Sequence, residues 1–508
     1  MSKQHSTRRD FLKAVGLGAM ASALYGPLEL RKLFAREATS KKPNFILILV
    51  DDLGWMDTGC YGSQFYETPN IDRLAAEGMR FTGGYAACAV CSPTRAAVMT
   101  GRYPARLGVT DWIRARFQGG KIPANKKNPT EYVVTKIDGK NRKLLCPPNA
   151  LWMELEEITI AEALKPAGYT SCHIGKWHLG ADDWYPDKQG FDYNIAGCDF
   201  GQPPSYFDPY SNKRQGQIPT IAPRRKGEYL TDREADEAVK FVRRHRDKPF
   251  FLYMAHYAVH TPIQGKADLV AKYEAKKPTK QKNPTYAAMV ESVDDAVGRI
   301  MSVLDELDLA DRTIILFTSD NGGLMAVTNN EPLRAGKGYP YEGGIREPLI
   351  VRWPKVIKPG TISHEPVTSG DYFPTICEAA GAAPPGDRDI DGVSLLEHLK
   401  SNGAKALNRE AIYWHFPHYR GKVVPYSIIR AGDWKLIKRY EGKAFELFNL
   451  KNDLPEKNDL SEKMPAKVKE LDAKLTQWLR ATGAKLPRPN PAYAPDAKPA
   501  KKRRDNKR

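Results

Sequence analysis

The chain has 508 residues, 41% hydrophobic and 10% aromatic, enough to bury one large core and a smaller one, which excludes a disordered chain. A formal net charge of +18 at pH 7 suits long-range attraction of a polyanion, but no helix-turn-helix, zinc finger or RNA-binding motif accompanies it, which argues against nucleic acid. Seven cysteines, an odd number without regular spacing, exclude a disulfide framework and read mostly as buried thiols.

At the N-terminus, Arg8-Arg9 precedes a short run rich in Ala and Gly, Ala14 to Tyr25, so residues 1–38 read as a twin-arginine export signal. The run is shorter than the roughly 20 residues a bilayer span needs. Cleavage near Ala35 or Ala38 would give a periplasmic or secreted protein without a stable membrane span; an uncleaved anchor is the alternative. Asn44 to Val50 is a continuous apolar run ending in Asp51-Asp52, the pattern of a buried parallel strand. Similar runs follow. Gly168 to Ile174 precedes Lys176-Trp177-His178, Pro249 to Met254 precedes His256 and His260, Thr313 to Thr318 precedes Asp320-Asn321, and Pro348 to Val351 follows Arg346. Between them lie helical patterns at Thr159 to Lys165, at Thr231 to Arg244 with a capping box from Thr231 to Glu234, and at Tyr286 to Leu307. Strands alternating with helices predict an α/β domain over residues 39–405, its sheet covered on both faces and its ligands beyond the carboxyl ends of the strands.

Arg114 to Leu145 departs from this alternation. It reads as a basic hairpin insertion turning at Asp138-Gly139 between Tyr132–Ile137 and Lys143–Leu145, either a solvated loop or a holder of anionic polymer. From 406 to 485, short strands at Ile412–Phe416, Tyr426–Arg430, Trp434–Arg439 and Ala444–Asn449 and an amphipathic helix at Met464–Ala481 predict a smaller antiparallel sheet with one covering helix. Residues 486–508, Pro-rich and then strongly basic, read as a disordered tail.

The chemistry centres on Cys91-Ser92-Pro93-Thr94-Arg95, which opens a run ending in Thr100-Gly101-Arg102. A cysteine two residues before a proline reads as a nucleophile at the start of a helix, where free N–H groups, the dipole and Arg95 would stabilise an anion. Cys88 and Cys91 also form a C-x-x-C, but no second pair stands at zinc-site spacing, so the redox and zinc readings are set aside. Asp51, Asp52, Asp320 and Asn321 supply four hard oxygen donors at two strand ends, a set that selects calcium or magnesium over zinc.

On these motifs the chain resembles the sulfatase family from about Asn44 to about Leu460, including Glu446-Leu447-Phe448-Asn449-Leu450 near the end. Thr94 stands where many members carry serine, and the Cys-x-Pro-x-Arg core is intact. The resemblance implies a large mixed sheet flanked by helices, an alkaline-phosphatase-like fold, and hydrolysis of sulfate monoesters. It implies that a separate formylglycine-generating maturation enzyme oxidises Cys91 to formylglycine, whose hydrate is the nucleophile. By the same resemblance Asp51, Asp52, Asp320 and Asn321, with residue 91, hold the metal, calcium before magnesium. Arg95 would hold the hydrate and Lys176 would bridge it to the sulfate. His178 would take a proton from the second hydroxyl, expelling sulfate. His260 would bind sulfate and protonate the leaving oxygen, and Lys337 would contact sulfate opposite the metal. His256, without the proline that follows His260-Thr261, reads as a decoy.

Substrate identity lies in loops. Thr110-Asp111-Trp112, Tyr206 to Gln217 and Trp414 to Tyr419 combine aromatic faces with polar groups, which suits sugars, and Asp111, Trp112, His415 and His418 are candidate contacts. For the two histidines the alternative is packing against the main domain. The resemblance implies an exo-acting enzyme on sulfated glycans, such as galactose or N-acetylgalactosamine sulfates, or on aryl sulfates. Two rivals are a phosphatase or phosphonate hydrolase of the same superfamily, with a different metal set, and a non-catalytic polyanion-binding protein.

Overall fold

A computed structural model describes residues 42–115 and 141–495. The expected signal region, the Tyr132–Ile137 arm of the insertion and the basic end of the tail lie outside the described residues.

All seven residues of Asn44–Val50 are buried, because this strand is sandwiched on both faces. Ile46, Ile48 and Val50 pack with Leu230–Arg244 and Pro284–Glu306 on one side. Phe45, Leu47 and Leu49 pack with Cys91–Thr100 and Tyr372–Ala380 on the other. A strand whose alternating side chains both meet helices must be apolar throughout, which is why the run shows no polar alternation.

The nine-stranded sheet runs from Thr361–Ser363 through Met79–Tyr85, Arg346–Arg352, Thr313–Ser319, Asn44–Val50, Phe250–Ala255 and Thr170–Gly175 to Tyr193–Ile195, with Val367–Thr368 also beside Met79–Tyr85. Thr313–Ser319, Asn44–Val50, Phe250–Ala255 and Thr170–Gly175 are mutually parallel, so their carboxyl ends lie along one edge. Arg346–Arg352 is antiparallel to both its neighbours, making the sheet mixed. Four antiparallel strands, Ile412–Phe416, Tyr426–Ala431, Trp434–Arg439 and Phe445–Asn449, form the smaller sheet. One of its faces takes Leu471, Leu475 and Leu479 of the helix Pro465–Ala481. Through Trp414, Phe416 and Ile428 the other face packs on Tyr85, Val90 and Ile345, just ahead of Cys91. Among the described residues no helix is long and apolar enough to cross a membrane.

Two sequence expectations are corrected, the capping box at Thr231 and the disordered start of the tail, and two strand pairings went unread. Met79–Tyr85 is a strand that its two glycines concealed; Gly84 allows close approach to Glu347 and Leu349 of the adjoining strand. The capping box at Thr231 does not form: the helix begins at Leu230 with Tyr229 as N-cap, and Glu234 instead bonds Nδ1 of His256 at 2.6 Å. Leu144–Leu145 pairs with Arg488–Pro489. The chain beyond 486 is therefore ordered at its start, with the Asn490 N–H donating to the Lys143 carbonyl at 2.9 Å.

Candidate active site

Parallel strands that end on one edge deliver their following loops to one place. Asp51-Asp52 follows Asn44–Val50, Asp320-Asn321 follows the adjacent Thr313–Ser319, and Lys176 and His260 follow the next two strands on the other side. Asp52 and His178 adopt left-handed backbone conformations, with φ of 64° and 60°. Such strain costs on the order of 1–3 kcal/mol and persists where surrounding contacts over-determine it. The Asp52 N–H donates to Oδ1 of Asp320 at 3.3 Å, and that of Leu53 to Oγ of Ser319 at 3.1 Å.

Three buried carboxylates meet three buried cations here. Arg95 reaches Oδ2 of Asp320 with Nε and Nη2, each at 2.8 Å, and its Nη1 donates to the Lys176 carbonyl at 2.8 Å. Lys176 Nζ lies 2.6 Å from Asp51 Oδ2, and Lys337 Nζ lies 2.5 Å from Asp52 Oδ1. Asn321 Nδ2 donates to the same Asp52 oxygen at 2.8 Å. Burial, reinforced by the charge of Asp320, pushes the Asp51 carboxyl well above the usual carboxylate range. At Asp52 burial acts the same way, but Lys337 and His260 outweigh it and hold the carboxyl low.

A buried polar atom without a partner is costly, and three occur together. Asp51 Oδ1, Asp52 Oδ2 and Asn321 Oδ1 are buried and accept no hydrogen bond. Oxygens of Asp51 and Asp52 and a ring nitrogen of His260 fall within 4.8 Å of one another. Hard, unsatisfied oxygens, two on carboxyl groups and one on an amide, are what a divalent cation of the calcium or magnesium type takes, so the donor set fits one.

Cys91 is the first residue of its helix, with Val90 as N-cap, and its Sγ lies 3.3 Å from Nδ1 of His178. Nε2 of His178 lies 2.6 Å from the Ile113 carbonyl, so the proton belongs on Nε2 and Nδ1 faces the sulfur as an acceptor. Burial, and then Lys176, push the His178 pKa well down, which keeps the ring neutral. Gly201 adjoins the ring: a Cβ there would fall 2.7 Å from its Cε1. A pocket of about 230 Å³ opens over this group, lined among others by Cys91, Trp112, His178, His260, Lys337 and Arg420.

The other candidates sit differently. Asp111 accepts from the Trp112 N–H at 2.9 Å, and burial pushes its carboxyl up to about 6. His415 is buried between Ser427 Oγ and the Lys485 carbonyl, and His418 is buried with Nε2 2.7 Å from Thr110 Oγ1. Neither lines the pocket. His256 is buried against Glu234. Tyr206 and Tyr210 are buried; the Tyr206 hydroxyl bonds the carbonyls of Tyr257 and His260 at 2.7 and 2.8 Å, bracing the His260 loop. The sequence reading missed Arg420, since nothing in Tyr419-Arg420-Gly421-Lys422 separates it from any surface arginine.

The family model described as Sulfatase matches residues 43–382, about two thirds of the chain. The chain belongs to the sulfatase family. A second model, N-sulphoglucosamine sulphohydrolase C-terminal, matches residues 335–485 of this sulfatase, spanning the smaller sheet and its helix. A protein named Sulfatase from Formosa agariphila is 32% identical, over 94% of both chains. The human N-acetylgalactosamine-6-sulfatase is 36% identical over 73% of this sulfatase and 68% of its own length. The crystal structure of Ps i-CgsB in complex with k-i-k-neocarrahexaose superposes with a TM-score of 0.73 at 32% identity, covering 86% of this sulfatase and 93% of that chain. The sulfatase has an alkaline-phosphatase-like fold, and its reaction is the hydrolysis of sulfate esters.

Proposed function

We propose that this sulfatase removes sulfate monoesters from sulfated carbohydrates with a formylglycine made from Cys91 and a divalent metal, calcium before magnesium, held by Asp51, Asp52, Asp320 and Asn321. The observation that carries this is the placing of Cys91 on the acceptor nitrogen of His178, in a pocket shared with His260 and Lys337. Carbohydrate is favoured because one relative is named for an N-acetylgalactosamine sulfate and one similar structure holds a carrageenan-type oligosaccharide. Trp112 supplies an apolar face for a sugar at the pocket wall.

When present, formylglycine supplies an oxygen nucleophile through its hydrate and the metal supplies positive charge for the sulfate oxygens. The chain's own groups do the rest. Nδ1 of His178, neutral and aimed at position 91, takes a proton from the group there. Nδ1 of His260 lies 2.9 Å from the Thr261 carbonyl, which leaves Nε2 facing the pocket, 3.6 Å from Asp52 Oδ2. Burial and Lys337 draw His260 down to about 3 against the opposing pull of Asp52, so the free ring is neutral with its proton on Nδ1; an anionic sulfate ester alongside would raise its proton affinity, and the proton then taken up at Nε2 is the one it would hand to the leaving oxygen. Lys176 and Lys337, each against one carboxylate, present their remaining donors to sulfate. Arg95 fixes Asp320 and the backbone at Lys176.

In this reading the twin-arginine segment exports the protein to the periplasm or beyond, after a formylglycine-generating enzyme has acted on Cys91. The test is turnover of paired sulfate and phosphate esters of one phenol and one sugar, with the bound metal measured on the same preparation. The reading expects sulfate ester cleavage with calcium bound; preference for phosphate esters with a transition metal bound would overturn it.

A further inference from the structure

Arg420 is the cation of the pocket that the buried charge cluster leaves over. Arg95, Lys176 and Lys337 are each engaged by Asp320, Asp51 or Asp52. Among the described residues no carboxylate pairs with Arg420 and no side-chain hydrogen bond uses its guanidinium, although it lines the same pocket as Cys91 and Lys337. Its charge acts on the Asp111 carboxyl without an ion pair to it.

Its position is built. The backbone of Arg420 and Val423 closes a tight turn by two reciprocal hydrogen bonds of 3.0 and 2.9 Å. The side chain crosses Gly338, beside Lys337: a Cβ at 338 would fall 2.3 Å from Nε and 2.4 Å from Cδ of Arg420. Gly338 has a φ of +86° and its N–H donates to the Ala89 carbonyl at 2.8 Å, so the crossing point is tied to the segment before Cys91. His418, two residues upstream of Arg420, bonds Thr110 and fastens this arm of the smaller sheet to the loop of Asp111 and Trp112.

We propose that Arg420 is a specificity-determining residue which holds a second anionic group, a sulfate ester or a carboxylate, on the glycan whose sulfate is cleaved. A planar fork of donors with no protein anion among the described residues, lining the same pocket as Trp112 and Lys337, matches such a group better than a hydroxyl. This inference rests on the carbohydrate sulfatase reading given above.

The experiment compares wild type with Arg420→Ala, Arg420→Gln and Arg420→Lys on three substrates of whichever sugar, galactose or N-acetylgalactosamine, the wild type turns over. These are the monosulfate, the disulfate, and a monosulfated disaccharide with a uronate neighbour. The readout is the ratio of kcat/KM for each dianionic substrate to that for the monosulfate. The expected result is a fall in that ratio by about ten- to a hundredfold in Arg420→Ala and Arg420→Gln, carried by KM, with partial rescue in Arg420→Lys. The arm that falls names the anion. An unmoved ratio in both arms, in an active enzyme, overturns the inference alone; a wild type that cleaves no sulfate ester removes the reading beneath it as well.

Discussion

Nζ of Lys435, in the smaller sheet, lies 2.9 Å from Oε1 of Glu342, and both side chains are fully buried. The same nitrogen is 2.8 Å from Oε1 of Glu456, whose other oxygen accepts the Glu342 N–H at 2.6 Å. Glu342 also accepts from the Tyr85 hydroxyl and from Arg346 Nε, both at 2.7 Å. Two residues on, the Gly344 carbonyl accepts from the Gly322 N–H at 3.1 Å, just after Asn321. A lysine of the smaller sheet thus fixes the wall behind the loop of Asp320 and Asn321.

Removing one partner of a buried ion pair strands the others. Lys435→Met is expected to cost about 3–5 kcal/mol, because Glu342 and Glu456 lose their shared cation. Urea unfolding checks it. Lys435→Met with Glu456→Gln is expected to be more stable than Lys435→Met alone, since one of the stranded carboxylates is gone.

Stability is expected to fall as pH drops below about 6.5, the ordinary histidine value. Burial draws His418 down to about 3 and His415 down to about 4, so the folded protein keeps both neutral while the unfolded chain binds protons. The unfolded state holds more protons across that window, so the stability present above pH 6.5 drains away toward pH 4. His418→Asn should flatten the slope by roughly 1.4 kcal/mol per pH unit between pH 6 and 4, relative to wild type in parallel unfolding curves.

Chelation should lower the melting temperature and abolish turnover, and calcium should restore both. As the proposed ligands, the partnerless oxygens of Asp51, Asp52 and Asn321 would bind calcium only in the folded state, so at free calcium a hundredfold above Kd the expected gain is about 2.7 kcal/mol. In Asn321→Ala the calcium-induced rise in Tm should shrink, which scanning calorimetry measures.

What could be read without the structure was the set of strand ends, because the apolar runs over residues 45–50 and 314–317 each give way to an acidic residue within three positions. Their adjacency needed the sheet order, which no local pattern encodes. Met79–Tyr85 was hidden because glycines, which permit close strand approach, carry no hydrophobic signal. The capping motif at Thr231 misled because Glu234 answers to His256, 22 residues away, rather than to its own backbone. Arg420 was invisible for a similar reason: only the fold brings the turn at Gly421 over Gly338.

Residue 91 is proposed to act as an aldehyde-derived nucleophile with His178 at its side. Mass spectrometry of the peptide containing position 91, on preparations made with and without a formylglycine-generating enzyme, tests it most directly when each preparation is also assayed for sulfate ester turnover. The expected result is an aldehyde at 91 and a turnover rate proportional to its occupancy, with Cys91→Ala inactive. Full activity from an unmodified thiol, or complete conversion without hydrolysis, would contradict it.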